Sequence, residues 1–292
     1  MALHEGISDI LLIDIIPNLP AGEALDLGHA ATILGLDVQI RGSNDYSDMA
    51  GSEIVVVTAG FPRKPGMTRE ELVSKNAGII RDIAENIRRY APESIVILTT
   101  NPLEAMTYLM YRRLGFPRER VIGFSGVLDS GRMAYYIARR LGVAASSISP
   151  VVIGQHGEKM LPLPRLTSIY GSPLTNLLSD EEIEKIVEET VQAGATITKL
   201  RGYSSNFGPG AGVAKMVTAI LKDQKRAFLA TVYLDGEYGV KDLTACVPII
   251  LGRQGVERIV ELPLTGDERT RFNESLSAIR ANIEEIPADL LK

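Results

Sequence analysis

Residues 54–101 read IVVVTAGFPRKPGMTREELVSKNAGIIRDIAENIRRYAPESIVILTTN, and this stretch decides the fold. It opens on the apolar block Ile54 to Val57 and closes on a second, Ile95 to Leu98. Short apolar runs of this kind are strands buried on both faces. Between them Arg69 to Tyr90 carries apolar residues at helical spacing. A buried strand, a helix and another buried strand in succession signal a parallel sheet with crossover helices. Working outward to the N-terminus, Ile10 to Ile13, ending in Asp14, repeats the strand pattern, and Gly22 to Leu34 repeats the helical one.

The chain up to Phe124 is therefore predicted to be a doubly wound α/β domain. Outward in the other direction the texture changes after Ser125. Asp129 to Leu141 reads as a helix and Ile148 to Ile153 as a strand. Leu178 to Leu200 reads as a long amphipathic helix opened by Ser179, with Glu182 completing a capping box. Ala227 to Leu234 and Ala245 to Leu251 are β-like around a turn marked by Gly236 and Gly239, and Thr265 to Ile283 closes the chain as a helix. Two domains are expected, residues 1–124 and an α+β part at residues 125–292, closely packed because no low-complexity linker separates them.

At 292 residues, 45% apolar and 23% charged, the chain can bury a substantial core. Its net charge of -5, with both signs spread along it, offers no basic stripe for nucleic acid. Cys246 is the only cysteine, which rules out an internal disulfide and a thiolate metal cluster and fits a reducing cytoplasm. No apolar run approaches the roughly 20 residues that cross a bilayer, and His4, Glu5 and Asp9 stand where an export signal would be basic and apolar. Neither a membrane nor a metal partner is expected.

Imidazole is the natural proton carrier near neutral pH, and the chain holds three: His4, His29 and His156. His4 and His29 read as structural. His156 sits in Gly154-Gln155-His156-Gly157-Glu158, a glycine-flanked turn after an expected strand. In Leu128-Asp129-Ser130-Gly131-Arg132-Met133 a carboxylate and a guanidinium three residues apart share a helix face. The carboxylate can orient an imidazole, and the guanidinium can grip a substrate carboxylate with two parallel bonds. The loop Gly60 to Arg69, with Arg63, Lys64 and Arg69 among prolines and glycines, follows a buried strand, where ligands of open α/β sheets bind. Thr99-Thr100-Asn101-Pro102 follows another, with Asn101 held extended by its proline. Each motif alone has an ordinary reading: a turn histidine, a surface ion pair, a solvated basic loop, a plain turn.

Taken in order, Thr58-Ala59-Gly60 with its basic loop, Thr-Asn-Pro, Gly-Phe-Ser-Gly-Val-Leu-Asp-Ser-Gly-Arg and Gly-Gln-His-Gly-Glu resemble the lactate/malate dehydrogenase superfamily over nearly the whole chain. The resemblance is strongest to its lactate-dehydrogenase-like malate dehydrogenases from archaea and bacteria. It implies a Rossmann-type NAD-binding domain, an α/β fold overall, NAD as cofactor, a malate or oxaloacetate substrate, a place in the tricarboxylic acid cycle, and a homo-oligomer, a tetramer in preference to a dimer. By the same resemblance His156 is the proton donor and acceptor and Asp129 its carboxylate. Arg132 binds the carboxylate common to 2-hydroxy acids, Arg69 polarises the ketone, Asn101 contacts substrate and nicotinamide, and Ser204 lines the substrate pocket. Asp14 is the acid for the adenosine ribose, with Thr58, Ala59, Gly60, Asn76, Thr99 and Asn101 also on the cofactor side. Arg63 stands where malate enzymes carry arginine and lactate enzymes commonly carry glutamine, so it is the expected partner of the second carboxylate of oxaloacetate.

The pattern departs from the family at its start. The ribose acid lies about 20 residues beyond the glycine loop in the dinucleotide fingerprint, and that distance runs past Met1. Met1 to Gly6 reads as the tail of the helix that should follow the loop. Sequence upstream of Met1 is therefore expected to encode the first strand and a Gly-x-Gly-x-x-Gly turn. Without that strand, the sheet should split between the strand ending at Asp14 and the one ending at Val57. Two alternatives remain open: an L-lactate dehydrogenase, and a non-catalytic scaffold that dispenses with NAD.

Overall fold

The computed structural model describes residues 7–61 and 69–291, the side chain of Arg69 excepted. The first part runs β1 (Asp9–Ile13), α1 (Leu19–Ile33), β2 (Gln39–Ser43), β3 (Ile54–Val57), α2 (Arg69–Tyr90), β4 (Ile95–Leu98), α3 (Leu103–Leu114) and β5 (Val121–Gly123), of which β1, α1, β3, α2 and β4 are the predicted elements. The second part runs α4 (Gly126–Leu141), β6 (Val152–Gly154), β7 (Met160–Pro162), the small hairpin of β8 (Ser168–Ile169) and β9 (Ser172–Pro173), α5 (Asp180–Arg201), α6 (Phe207–Leu221), β10 (Arg226–Asp235), β11 (Lys241–Gly252), β12 (Gly255–Ile259) and α7 (Gly266–Glu284).

One sheet of order β3-β4-β5-β10-β11-β6-β7 joins the two parts, with β12 on β11. β3, β4 and β5 are parallel, and β10 then meets β5 antiparallel at Thr231 and Gly123. β1 and β2 pair in parallel in a separate two-stranded sheet, from Asp9 opposite Gln39 to Ile13 opposite Ser43. The break between β1 and β3 falls where the sequence places it.

Burial explains the strand blocks. Val96, Ile97 and Leu98 are fully buried because β4 has a helical layer on each face. One side packs with α2 and α3 through Val73, Ile80, Ile87, Met106 and Leu109, the other with α6, β10 and β11 through Met216, Val217, Ala230 and Val247. A third cluster joins α4 to α5 through Met133, Ile137, Ile183 and Ile186. Ser179 accepts the Glu182 N–H and Glu182 accepts back, so the expected capping box forms. The strand expected over 148–153 shortens to β6, because Pro150 has no N–H to give a ladder. Gly236 and Gly239 take φ of 131° and 73° in the β10–β11 turn, conformations that favour glycine. Among the described residues no helix is long and apolar enough to cross a membrane.

Candidate active site

The site is assembled where α4 begins and β6 ends. Gly154 closes β6 with φ +86°, and a Cβ on it would lie 2.4 Å from the Ser275 hydroxyl of α7. That hydroxyl accepts the Gln155 N–H at 2.8 Å. Only glycine allows the chain to turn there so close to α7, and the turn delivers His156 to the first turn of α4. His156 Nδ1 lies 2.6 Å from Asp129 Oδ2, while Asp129 Oδ1 accepts from Arg132 Nη1 at 3.2 Å.

Asp129 is buried at 2% exposure, and the side chains of His156 and Arg132 are 16% and 13% exposed. Burial works against the imidazolium, but the charge of Asp129, its hydrogen bond and the nearby Glu104 outweigh it, so the His156 pKa is raised. With Nδ1 engaged, Nε2 is the nitrogen left without a partner among the described residues. Arg132 Nε is buried and likewise has no hydrogen-bond partner. A guanidinium with unused donors beside a proton-bearing imidazole suits an incoming carboxylate whose neighbouring oxygen takes or gives a proton.

The loops after β3 and β4 form the adjoining wall. Thr58, Ala59 and Gly60 are exposed, Asn101 is exposed and Thr99 partly so. Thr100 donates to the Ala59 carbonyl at 2.6 Å, and a Cβ on Gly60 would lie 2.6 Å from the Thr100 methyl, so the two strand ends meet closely. Asn76 of α2 is placed beneath this wall. Its side chain is buried, accepts the Phe61 N–H at 2.7 Å and donates to the Asn101 carbonyl at 2.7 Å. It clamps two loop backbones, which the sequence did not reveal. Asp14 stands at the carboxyl end of β1, partly exposed, with Oδ1 accepting the Ile16 N–H at 2.8 Å. Ser204 is exposed in the loop between α5 and α6 and shares no hydrogen bond with the His156 cluster among the described residues. Arg63 lies outside the described residues, as does the side chain of Arg69, whose backbone opens α2.

Glu104 was not anticipated. It is 1% exposed, and its Oε1 accepts the His156 backbone N–H at 2.8 Å. The available signal was a lone acid in the otherwise apolar run Leu103 to Met106 directly after Asn101-Pro102.

A family model described as the lactate/malate dehydrogenase NAD binding domain matches residues 1–123, and one for the α/β C-terminal domain matches residues 126–289. The chain belongs to the lactate/malate dehydrogenase family. A malate dehydrogenase of Caldivirga maquilingensis is 59% identical over 292 residues, covering 100% of this chain and 94% of that protein. The solved malate dehydrogenase of Aeropyrum pernix superposes with a TM-score of 0.95 at 56% identity, covering 98% of this chain and 92% of that one. A lactate dehydrogenase of Cryptosporidium parvum, solved with lactic acid and NAD, gives 0.91 at 37% identity over 94% of this chain and 89% of its own.

Membership makes NAD(H) the cofactor, and the residues on its expected side fit a dinucleotide in part. The exposed carboxyl ends of β3 and β4 leave backbone and the Asn101 amide open to a flat ring, and Asp14 keeps an acceptor oxygen for a ribose hydroxyl. No Gly-x-Gly-x-x-Gly turn for the pyrophosphate occurs among the described residues.

Proposed function

We propose that the chain interconverts (S)-malate and oxaloacetate with NAD(H). The observation that carries this reading is the bonded row His156, Asp129, Arg132, set in a chain 56% to 59% identical to malate dehydrogenases. In reduction the protonated His156 gives its Nε2 proton to the C2 keto oxygen, and in oxidation the neutral ring takes it back. Asp129 stabilises the imidazolium and fixes which nitrogen faces substrate. Arg132 binds the C1 carboxylate. Bound NADH supplies the hydride that C2 receives. Thr58, Ala59, Gly60, Thr99 and Asn101 would hold its nicotinamide side, with Asn76 bracing their backbones, and Asp14 its ribose. Residues 1–124 thus serve the dinucleotide and, through Arg63, Arg69 and Asn101, part of the substrate, and residues 125–292 the proton and the C1 carboxylate.

Preference for oxaloacetate over pyruvate is assigned to Arg63, with Arg69 polarising the ketone and Ser204 in the pocket wall; this rests on the family pattern. An unpaired carboxylate in a closed site is costly, whereas two opposite charges about 4 Å apart gain on the order of 4 kcal/mol at an effective dielectric of 20. The lactate dehydrogenase likeness keeps L-lactate as the second reading. A spectrophotometric assay of oxaloacetate and pyruvate with NADH and with NADPH decides: the chain should favour oxaloacetate with NADH, and Arg63→Gln should move preference toward pyruvate. Equal kcat/KM ratios in the two proteins would remove Arg63 from the assignment. Saturable quenching of NADH fluorescence excludes the scaffold. A homo-oligomer, a tetramer in preference to a dimer, rests on the family pattern. Cytoplasmic residence is supported by the single buried cysteine, and the tricarboxylic acid cycle by the substrate.

A further inference from the structure

Proton transfer by His156 leaves Glu104 without a task. Glu104 is the second residue of α3, three positions after Asn101, and is fully buried. A carboxyl is costly to bury unless it is bonded. Oε1 accepts the His156 N–H at 2.8 Å and lies 3.2 Å from the Thr231 hydroxyl of β10. The Thr231 and Ser125 hydroxyls are 2.9 Å apart, so Thr231 can donate to Glu104 while accepting from Ser125, the residue before α4. The Glu104 backbone carbonyl accepts the Thr244 hydroxyl of β11 at 2.7 Å. One residue thereby ties α3, which follows Asn101-Pro102, to the His156 turn, to both central strands and, through two hydroxyls, to the helix that carries Asp129 and Arg132.

We propose that Glu104 is a positioning residue for His156 and supplies a second negative charge behind the imidazole, holding the turn from its backbone side while Asp129 holds the ring. The inference rests on the reading of His156 as the proton donor. Among the described residues the charged groups that act on the ring are Asp129 and Arg132 from α4 and Glu104 from α3, while the thiol of Cys246 on β11, near both carboxyls, is kept neutral by burial. With both carboxyls ionised, the charges balance when His156 is protonated; deprotonation leaves one negative charge in excess in a desolvated site. Burial pushes the Glu104 carboxyl up and outweighs the imidazolium and the His156 N–H that pull it down, so its pKa is raised, and it keeps its charge most readily while His156 is protonated.

The test is an NMR titration of the full chain labelled at histidine, where three imidazoles give a readable spectrum, run beside the pH profile of oxaloacetate reduction. Glu104→Gln keeps an acceptor oxygen for the His156 N–H and removes the charge. The His156 midpoint should fall by about one pH unit, and reduction on the alkaline limb by about tenfold. Loss of packing alone would lower activity without moving the midpoint. Thr231→Val, close in shape and lacking one donor to Oε1, should move the midpoint the same way by less, and serves if Glu104→Gln does not fold. An unchanged midpoint in whichever variant folds overturns the proposal. If the unmodified chain reduces no oxaloacetate while the midpoint still moves, the functional reading falls and the role of Glu104 stands.

Discussion

The two sides of the site are built in opposite ways. On the proton side Asp129, Glu104 and His156 are interior or nearly so, and each is bonded to a residue of another element or another turn. On the proposed dinucleotide side Thr58, Ala59, Gly60 and Asn101 lie open after strand ends, and β1 with Asp14 belongs to a separate sheet. The difference follows from what each side must do. A group that moves a proton needs a fixed position and a controlled charge, which a desolvated cluster bonded on the side away from the substrate provides. A surface that receives a long cofactor needs access and backbone edges, so its order comes from supports underneath, such as Asn76.

The sharpest way to break this contrast is to remove the imidazole. His156→Asn should lower kcat/KM for oxaloacetate on the order of 10³-fold, the size of a general acid-base contribution, with NADH binding retained in a fluorescence titration. Activity near that of the unmodified chain would move the chemistry elsewhere. Asp129→Asn should cost on the order of 10²-fold and also change the pH response. The His156 pKa is raised because burial, which opposes the cation, is outweighed by Asp129 and Glu104. Stability from that pairing is present below the ordinary imidazole value and is lost as pH rises through the raised native value. Denaturant melts across that window should show a decline for the unmodified chain and a flatter course for Asp129→Asn. A parallel course in both would mean that Asp129 does not hold the proton on His156.

A smaller and purely conformational effect is expected at Gly154. Gly154→Ala must adopt φ near +86° with its methyl against the Ser275 hydroxyl, and strain of that kind costs about 1 to 3 kcal/mol. Denaturant unfolding should show this loss, with activity falling because His156 is displaced. Adding Ser275→Ala relieves the closest contact but removes the acceptor of the Gln155 N–H and leaves the unfavourable dihedral, so stability should not return to that of the unmodified chain.

The same contrast governs what could be read from sequence. The buried strand β4 and helix α2 were legible because the apolar block and the helical spacing are uninterrupted there, and so was β3, although only Val57 of it is fully covered and the expectation of burial on both faces fails for it and for β1. The capping box at Ser179 was legible because it is a local motif. α6 was not: Phe207 to Gly212 opens with glycines and a proline, and its helix is stabilised by burial of Val213, Met216 and Val217 against the sheet. β2 and β5 are short, and β2 carries Arg41 and Gly42, so neither shows an apolar block. In the site, His156, Asp129 and Arg132 were found by type and motif. Glu104 and the clamp of Asn76 depend on contacts across 52 and 25 positions, which no local pattern encodes.

The least effect is expected at Asn76, and it bears most directly on how the open side is kept in order. Asn76→Ala leaves the Phe61 N–H and the Asn101 carbonyl without their buried partner, and an unmade buried bond costs about 1 to 3 kcal/mol. Because the Asn101 side chain itself is untouched, the loss should fall on KM for NADH and on thermal stability, with kcat at saturation changed by less than about threefold, a barrier difference under 1 kcal/mol. Asn76→Asp, which keeps the acceptor for the Phe61 N–H and loses the donors to the Asn101 and Phe61 carbonyls, should separate the two halves of the clamp: if KM rises as much as in the alanine variant, the donor half carries the effect. A kcat that falls with KM unchanged would mean that Asn76 acts on the transition state, and the division between a fixed proton side and a supported cofactor side would no longer hold.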